Sequence, residues 1–123
     1  MPSPDPHDQT RVHNALLRCT RQDTKAHPLF ECVRQDLGLW VWELSGYGSC
    51  PWNQWTRETA DALRAQLAKL STLKYGSTDY TLFIEVGPVS DLKPLRIPSE
   101  LTEISSVAGF SIELLMSRDQ PDD

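Results

Sequence analysis

The stretch from Tyr80 to Met116 reads YTLFIEVGPVSDLKPLRIPSELTEISSVAGFSIELLM and carries the pattern that decides the fold. Apolar and polar residues alternate at both ends of this stretch, which predicts β-strands over 80–86 and 110–116. Between them, apolar residues recur every third position over 99–108, which predicts a short helix. The connection contains a helix and is long enough for a crossover. We therefore expect the two strands to be parallel neighbours.

Four further elements are predicted upstream. Alternation predicts strands over Val12–Thr20 and Leu39–Leu44, and Pro28 favours a short helix that runs to Asp36. A leucine stripe predicts a long helix over Thr56–Leu73, with the threonine as its N-cap. The expected order is β-α-β-α-β-α-β. This is an α/β sandwich with a four-stranded mixed sheet and about three helices, and α+β is the open alternative. Clean alternation also predicts that one sheet face is less covered than the other.

Length and composition indicate one domain over residues 10–118 of the 123-residue chain. The proline-rich segment 1–9 and the acidic segment 119–123 are expected to be disordered tails. No apolar run approaches the length of a membrane span, and the first residues do not resemble a secretory signal. Three widely spaced cysteines fit a reduced, cytoplasmic protein.

Charge is distributed unevenly along the chain. Residues 1–74 carry nine Lys/Arg and eight Asp/Glu, whereas residues 75–123 carry three Lys/Arg and nine Asp/Glu. The acidic C-terminal part repels nucleic-acid phosphates and anionic lipid, so neither nucleic acid nor a membrane is an expected partner. It would attract a basic protein and accelerate the association in a salt-dependent way.

Motifs for chemistry are absent from the sequence. No Cys-x-x-Cys, His-x-His or His-Glu-x-x-His spacing and no phosphate-binding loop occurs, so no metal and no cofactor is expected. No catalytic residue is assigned, and we expect a protein that is not an enzyme. The open alternative is a small hydrolase that uses carboxylates or the thiol of Cys50.

All four tryptophans lie between residues 40 and 55. Trp40 and Trp42 share one face of a predicted strand and are interpreted as core. Trp52 and Trp55 follow a Gly- and Pro-containing loop with Tyr47, where they could pack against the domain or project as binding anchors.

Three predicted strands each carry an outward glutamate, namely Glu43, Glu85 and Glu113. If these strands are neighbours, the carboxylates share one sheet surface with apolar side chains. Such a surface can be a docking site for a basic protein or an ordinary solvated sheet face.

Residues 39–117 resemble a family of small bacterial α/β domains of unknown function that occur in gene neighbourhoods of toxin systems. The resemblance rests on Leu39-Trp-Val-Trp42, the leucine-rich helix, Leu95-Arg-Ile-Pro-Ser-Glu-Leu101 and Ala108-Gly-Phe-Ser-Ile-Glu-Leu114. It implies an immunity-type protein that binds a cognate toxin and occludes its active site. An acidic inhibitor suits a basic toxin or effector.

The first hypothesis is therefore a stoichiometric toxin inhibitor, and an adaptor or chaperone for a secreted effector is the alternative. The sequence leaves the oligomeric state open. The expected partner-binding residues are Tyr47, Trp52, Trp55, Glu85, Asp91, Glu100, Glu103 and Glu113.

Overall fold

A computed structural model of the protein describes residues 10–22, 25–44, 51–73, 78–89 and 95–118. The predicted tails, 1–9 and 119–123, lie outside the described residues. The strands are β1 (Arg11–Thr20), β2 (Glu31–Arg34), β3 (Leu39–Glu43), β4 (Tyr80–Val89) and β5 (Ser111–Arg118), and the helices are α1 (Trp52–Ala65), α2 (Leu67–Ser71) and α3 (Ser99–Ala108).

The strands form one five-stranded mixed sheet in the order β2-β3-β1-β4-β5. Strand β1 lies at the centre and pairs antiparallel with β3 and β4. Strands β4 and β5 are parallel and in regular register from the Thr81–Ser111 pair to the Val86–Met116 pair. Helix α3 lies in the connection between them, so the predicted parallel crossover is confirmed.

The mixed α/β class is confirmed, but the predicted strand count and element order are wrong. Residues 31–34 form β2, where a helix over 28–36 was predicted, and only Gln35–Leu37 form a short 3-10 turn. Pairing explains the difference, because β2 adds to the edge of β3 and places Cys32 opposite Trp40. The ring of Phe30 also packs into the core, against Trp42 and Tyr80.

The long helix begins at Trp52, four residues before the predicted Thr56. It is divided into two segments, α1 and α2. Pro51 precedes it in an extended conformation, and the Trp52 N–H donates to the Thr10 carbonyl oxygen at 3.0 Å. The Thr56 hydroxyl is therefore inside the helix and donates back to the Trp52 carbonyl oxygen at 3.0 Å. Burial of two tryptophans in the first turn, rather than a polar N-cap, sets where this helix starts.

The core lies between the helices and one face of the sheet. Alternate residues of β1 and β4 are buried with apolar residues of α1 and α3, whereas the intervening strand residues are mostly half-buried or exposed. The expected difference between the two sheet faces is confirmed. One face is the inside of the domain, and the other faces solvent.

His27 connects the segment before β2 to helix α2 through hydrogen bonds. The Leu29 N–H donates to Nδ1 of His27 at 3.1 Å, so the imidazole proton is on Nε2, which lies 3.3 Å from the Lys69 carbonyl oxygen. Burial, together with the nearby cations of Arg21 and Lys69, lowers the pKa of His27, although its bond to the Lys69 carbonyl acts in the opposite direction. Protonation at Nδ1 would break the bond from Leu29, so the fold favours the neutral ring.

This geometry predicts a pH-dependent contribution of His27 to stability. The folded pKa lies below the ordinary value of 6.5, so the unfolded chain binds the proton more readily. The contribution is therefore full above that value and falls as the pH drops through it. Urea unfolding of wild type and His27→Gln at about pH 7.5 and about pH 5 should show that the stability advantage of wild type shrinks in acid. An advantage that does not change with pH would contradict the neutral-ring assignment.

Candidate functional site: the open sheet face

The solvent-facing side of the sheet, hereafter the open sheet face, is defined by the strand register. One row crosses β3, β1, β4 and β5 through Glu43, Leu16, Phe83 and Glu113. The flanking rows contain Glu31–Val41–Arg18–Thr81–Ser111 on one side and Asn14–Glu85–Leu115 on the other. The expected sharing of one surface by Glu43, Glu85 and Glu113 is thus confirmed by the register.

Arg18 lies near the middle of the open sheet face and is paired within the domain. Its Nη2 lies 2.9 Å from Oδ2 of Asp79, and its guanidinium carbon lies 4.3 Å from the centroid of the Phe83 ring. The Thr81 hydroxyl donates to the other oxygen of Asp79 at 2.8 Å. This partly exposed pair adds little stability, about 0–1 kcal/mol, but it cancels the arginine charge locally and covers one side of the ring.

Four exposed carboxylates surround this neutralised centre, on Glu31, Glu43, Glu85 and Glu113. Among the described residues, none of the four takes part in an ion pair. Adjacent strands are about 4.8 Å apart, so the carboxylates of the central row are about 14 Å apart across the sheet. The central row therefore presents two widely spaced negative charges with the apolar side chains of Leu16 and Phe83 between them.

The structure decides between the two interpretations of the second tryptophan pair. Trp52 and Trp55 are each 1% exposed, on the first turn of α1, and their rings stack with centroids 6.2 Å apart. The indole N–H of Trp52 donates to the Arg96 carbonyl oxygen at 2.9 Å. Both are core residues, so the expectation that they project as binding anchors is corrected. The predicted core position of Trp40 is confirmed, and Trp42 is half-buried.

The other expected binding residues do not form a single surface. Glu85 and Glu113 lie on the open sheet face. Glu100 and Glu103 are exposed on α3, whose buried residues pack into the core on the opposite side of the sheet. Tyr47 and Asp91, as well as the thiol of Cys50, lie outside the described residues.

Two shallow depressions lie at the β2 end of the domain. One, of about 490 Å³, is lined by Glu31, Glu43, Trp42 and His27, among others. Both nitrogen atoms of His27 are within hydrogen-bonding distance of backbone groups. The ring is therefore not available as a general base that could act together with Glu43. The depression presents two carboxylates beside an aromatic wall, which suits a cationic side chain.

The larger depression, of about 700 Å³, contains Arg21, Cys32, Asp36 and Trp40. The Asp36 carboxylate accepts two hydrogen bonds from Arg34, at 3.1 and 2.9 Å. That pairing lowers the pKa of Asp36 and holds it ionised, so it is unsuited to act as a general acid. None of the outward glutamates of β3, β4 and β5 lines this depression.

No group of three or more residues with metal-ligating side chains is present among the described residues. No helix in the described part of the chain has the length and apolar character needed to cross a bilayer. Comparisons with family models, curated proteins and solved structures found no match for this chain.

Glu31, Leu16 and Arg18 belong to the open sheet face but were not among the expected binding residues. Glu31 was missed because it fell in a predicted helix. Leu16 is adjacent to Leu17, which blurs the alternation of β1, although Arg18 continues the outward positions from Leu16. Leu16 is paired with both Glu43 and Phe83, and this pairing, which places Leu16 on the open sheet face, is known only from the sheet.

Core placement of the tryptophan pair predicts a large stability effect. Trp52→Ala and Trp55→Ala should each lower the free energy of unfolding by about 3–5 kcal/mol, because each leaves a cavity under the sheet. Asn53→Ala, at an exposed position of the same turn, is the matched control and should change it by less than about 0.5 kcal/mol. Urea titrations followed by circular dichroism would measure all three. Near-wild-type stability of both tryptophan variants would refute the core assignment.

Proposed function

We propose that this protein is an immunity-type inhibitor that binds a basic toxin through its open sheet face and covers the toxin's active site. The supporting observation is the set of four exposed carboxylates around a neutralised arginine, on a face that also carries Leu16, Val41, Phe83 and Leu115. Protein interfaces combine apolar contact area with complementary charge in this way.

The charge arrangement favours a basic partner over an acidic one. Arg18, near the middle of the open sheet face, is already matched by Asp79, so the surrounding carboxylates set the local potential. A toxin that acts on nucleic acid needs a positively charged active-site surface to hold phosphates. An acidic face of similar extent would block that surface and would assemble with it rapidly.

Inhibition rather than enzymatic activity also fits the geometry of the described residues. The carboxylates lie on an open face instead of converging in a deep cleft, and His27 is held by backbone groups. In this proposal the protein acts in the cytoplasm of the producing cell, without a metal or cofactor. Its function then depends on stable binding and on the surface it covers.

Charge reversal on the open sheet face tests the proposal. The probe is the purified product of the gene adjacent to the gene for this chain. Glu43→Lys and Glu85→Lys should each slow its association about five- to tenfold at low salt, and the effect should shrink as salt is raised. Stopped-flow or surface-plasmon measurements give the rates. Glu58→Lys, an exposed change of equal charge on α1, is the matched control and should alter the rate less than twofold.

Co-expression separates inhibition from an adaptor role. Wild type should rescue growth from the toxicity of the adjacent gene product, whereas the double variant Glu43→Lys/Glu85→Lys should rescue less well. Improved secretion of that product without rescue would favour the adaptor. Association rates that are insensitive to salt and to both substitutions would refute the electrostatic basis of the proposal.

A further inference from the structure

The two edges of the sheet differ in how they are protected. Strand β2 forms one edge and has four residues with a register shift between Cys32 and Arg34. Short length, a bulge and a charged side chain are the usual means by which edge strands avoid pairing with other chains. The β2 edge therefore has the features of an edge that is closed to further strands.

Strand β5 forms the opposite edge and carries the charged Glu113, but it is neither short nor bulged over most of its length. It has eight residues, and its pairing with β4 is regular over six consecutive pairs. Leu115 and Met116 are 58% and 53% exposed. Its outer edge has no neighbour in the sheet formed by the described residues. A long, regular edge with exposed apolar side chains is a template for one more strand.

The side chains of β5 specify the kind of strand that fits. Glu113 and Leu115 lie on the open sheet face, and Glu85 on β4 is directly opposite Leu115. Leu114 and Met116 have the other parity and lie on the helix side, where Leu114 packs against the core. An added strand would thus meet carboxylates on one of its faces and apolar side chains on the other.

We propose that the β5 edge binds an extended segment of the basic partner as a sixth strand, in which cationic and apolar residues alternate. Lys or Arg side chains of that segment contact Glu113 and Glu85 on the open sheet face, and their aliphatic stems lie beside Leu115. Apolar residues of the segment contact Leu114 and Met116. Backbone hydrogen bonds to β5 supply affinity, and the alternation supplies specificity. The inference rests on the proposed function, because it names how the same basic partner is held.

A synthetic peptide tests the edge separately from the toxin. The probe is the capped heptapeptide Lys-Val-Lys-Val-Lys-Val-Lys, and its matched control has the same composition in blocks, Lys-Lys-Lys-Lys-Val-Val-Val. Amide hydrogen exchange followed by NMR should show that the alternating peptide slows exchange at least about fivefold at every second β5 amide, those that point away from β4. The block peptide should produce less than a twofold change there.

Two variants test the charge contact. Glu113→Lys should weaken binding of the alternating peptide at least about fivefold, since a like charge replaces an opposite one beside the added strand. Glu58→Lys on α1 should change it less than twofold. Both positions are exposed, so folding is retained, and this is checked by the unchanged exchange of amides in β1.

Several results would overturn the inference. One is that the block peptide slows amide exchange in β5 as much as the alternating peptide does, and another is that the slowed amides lie in β2 instead of β5. The others are NMR chemical-shift changes on the open sheet face without slowed exchange in β5, and no binding of the alternating peptide. Protection of β5 that grows with protein concentration in the absence of peptide would assign the edge to a second copy and would also overturn it. If the protein fails to rescue growth from the toxin but still binds the alternating peptide at β5, the proposed function is refuted and the binding site at the β5 edge is retained.

Discussion

Burial of one face of β1 beneath helix α1 is the interaction on which the rest of the structure depends. Val12, Ala15, Leu17 and Cys19 are each at most 1% exposed, and the Trp52–Trp55 stack of α1 is equally buried. Full burial of one large apolar side chain contributes roughly 1.5–3 kcal/mol. Since β1 also pairs with β3 on one side and β4 on the other, fixing this strand fixes the register of the sheet.

One consequence of this packing is the asymmetry of the sheet. The period of a strand is two, so burying alternate residues of β1 under the helices sends Leu16 and Arg18 to the other side. The same parity sends Glu43, Glu85 and Glu113 there from the neighbouring strands. Glu43 and Glu113, about 14 Å apart in the central row, are separated by more than the Debye length of about 8 Å, so they repel one another weakly in physiological salt. The face carries a charge opposite to that of the partner that we propose.

A second consequence concerns the sheet edges. The crossover through α3 places β5 parallel to β4 and outside it, and the hairpin-like β2–β3 pair ends the sheet on the other side. The β2 edge carries Glu31 and also Arg34, which is bound to Asp36, whereas the β5 edge carries Glu113. Charge and the unpaired backbone at the β5 edge thus fit the basic partner that we propose for the open sheet face. A single bound segment could use both surfaces.

The sequence was sufficient to predict the elements whose periodicity is uninterrupted. The strands over 80–86 and 110–116, the helix over 99–108 and the parallel crossover follow from local alternation and spacing, and all are present. The sequence pattern gave a wrong prediction after Pro28, where a helix was expected. Pairing of β2 with β3 outweighed the helix propensity of these residues. The sequence pattern also gave a wrong start for α1, because the Gly and Pro residues before Trp52 predicted a loop that continues to Thr56.

For the candidate site, the sequence by itself determined the acidic character of the C-terminal part and the outward parity of Glu43, Glu85 and Glu113. Only the tertiary structure decided that these residues share a face, that Glu100 and Glu103 do not, and that Trp52 and Trp55 are core. The reason is physical. Side-chain parity is a local property of each strand, whereas strand order, and the side on which the helices pack, depend on contacts between residues far apart in the chain.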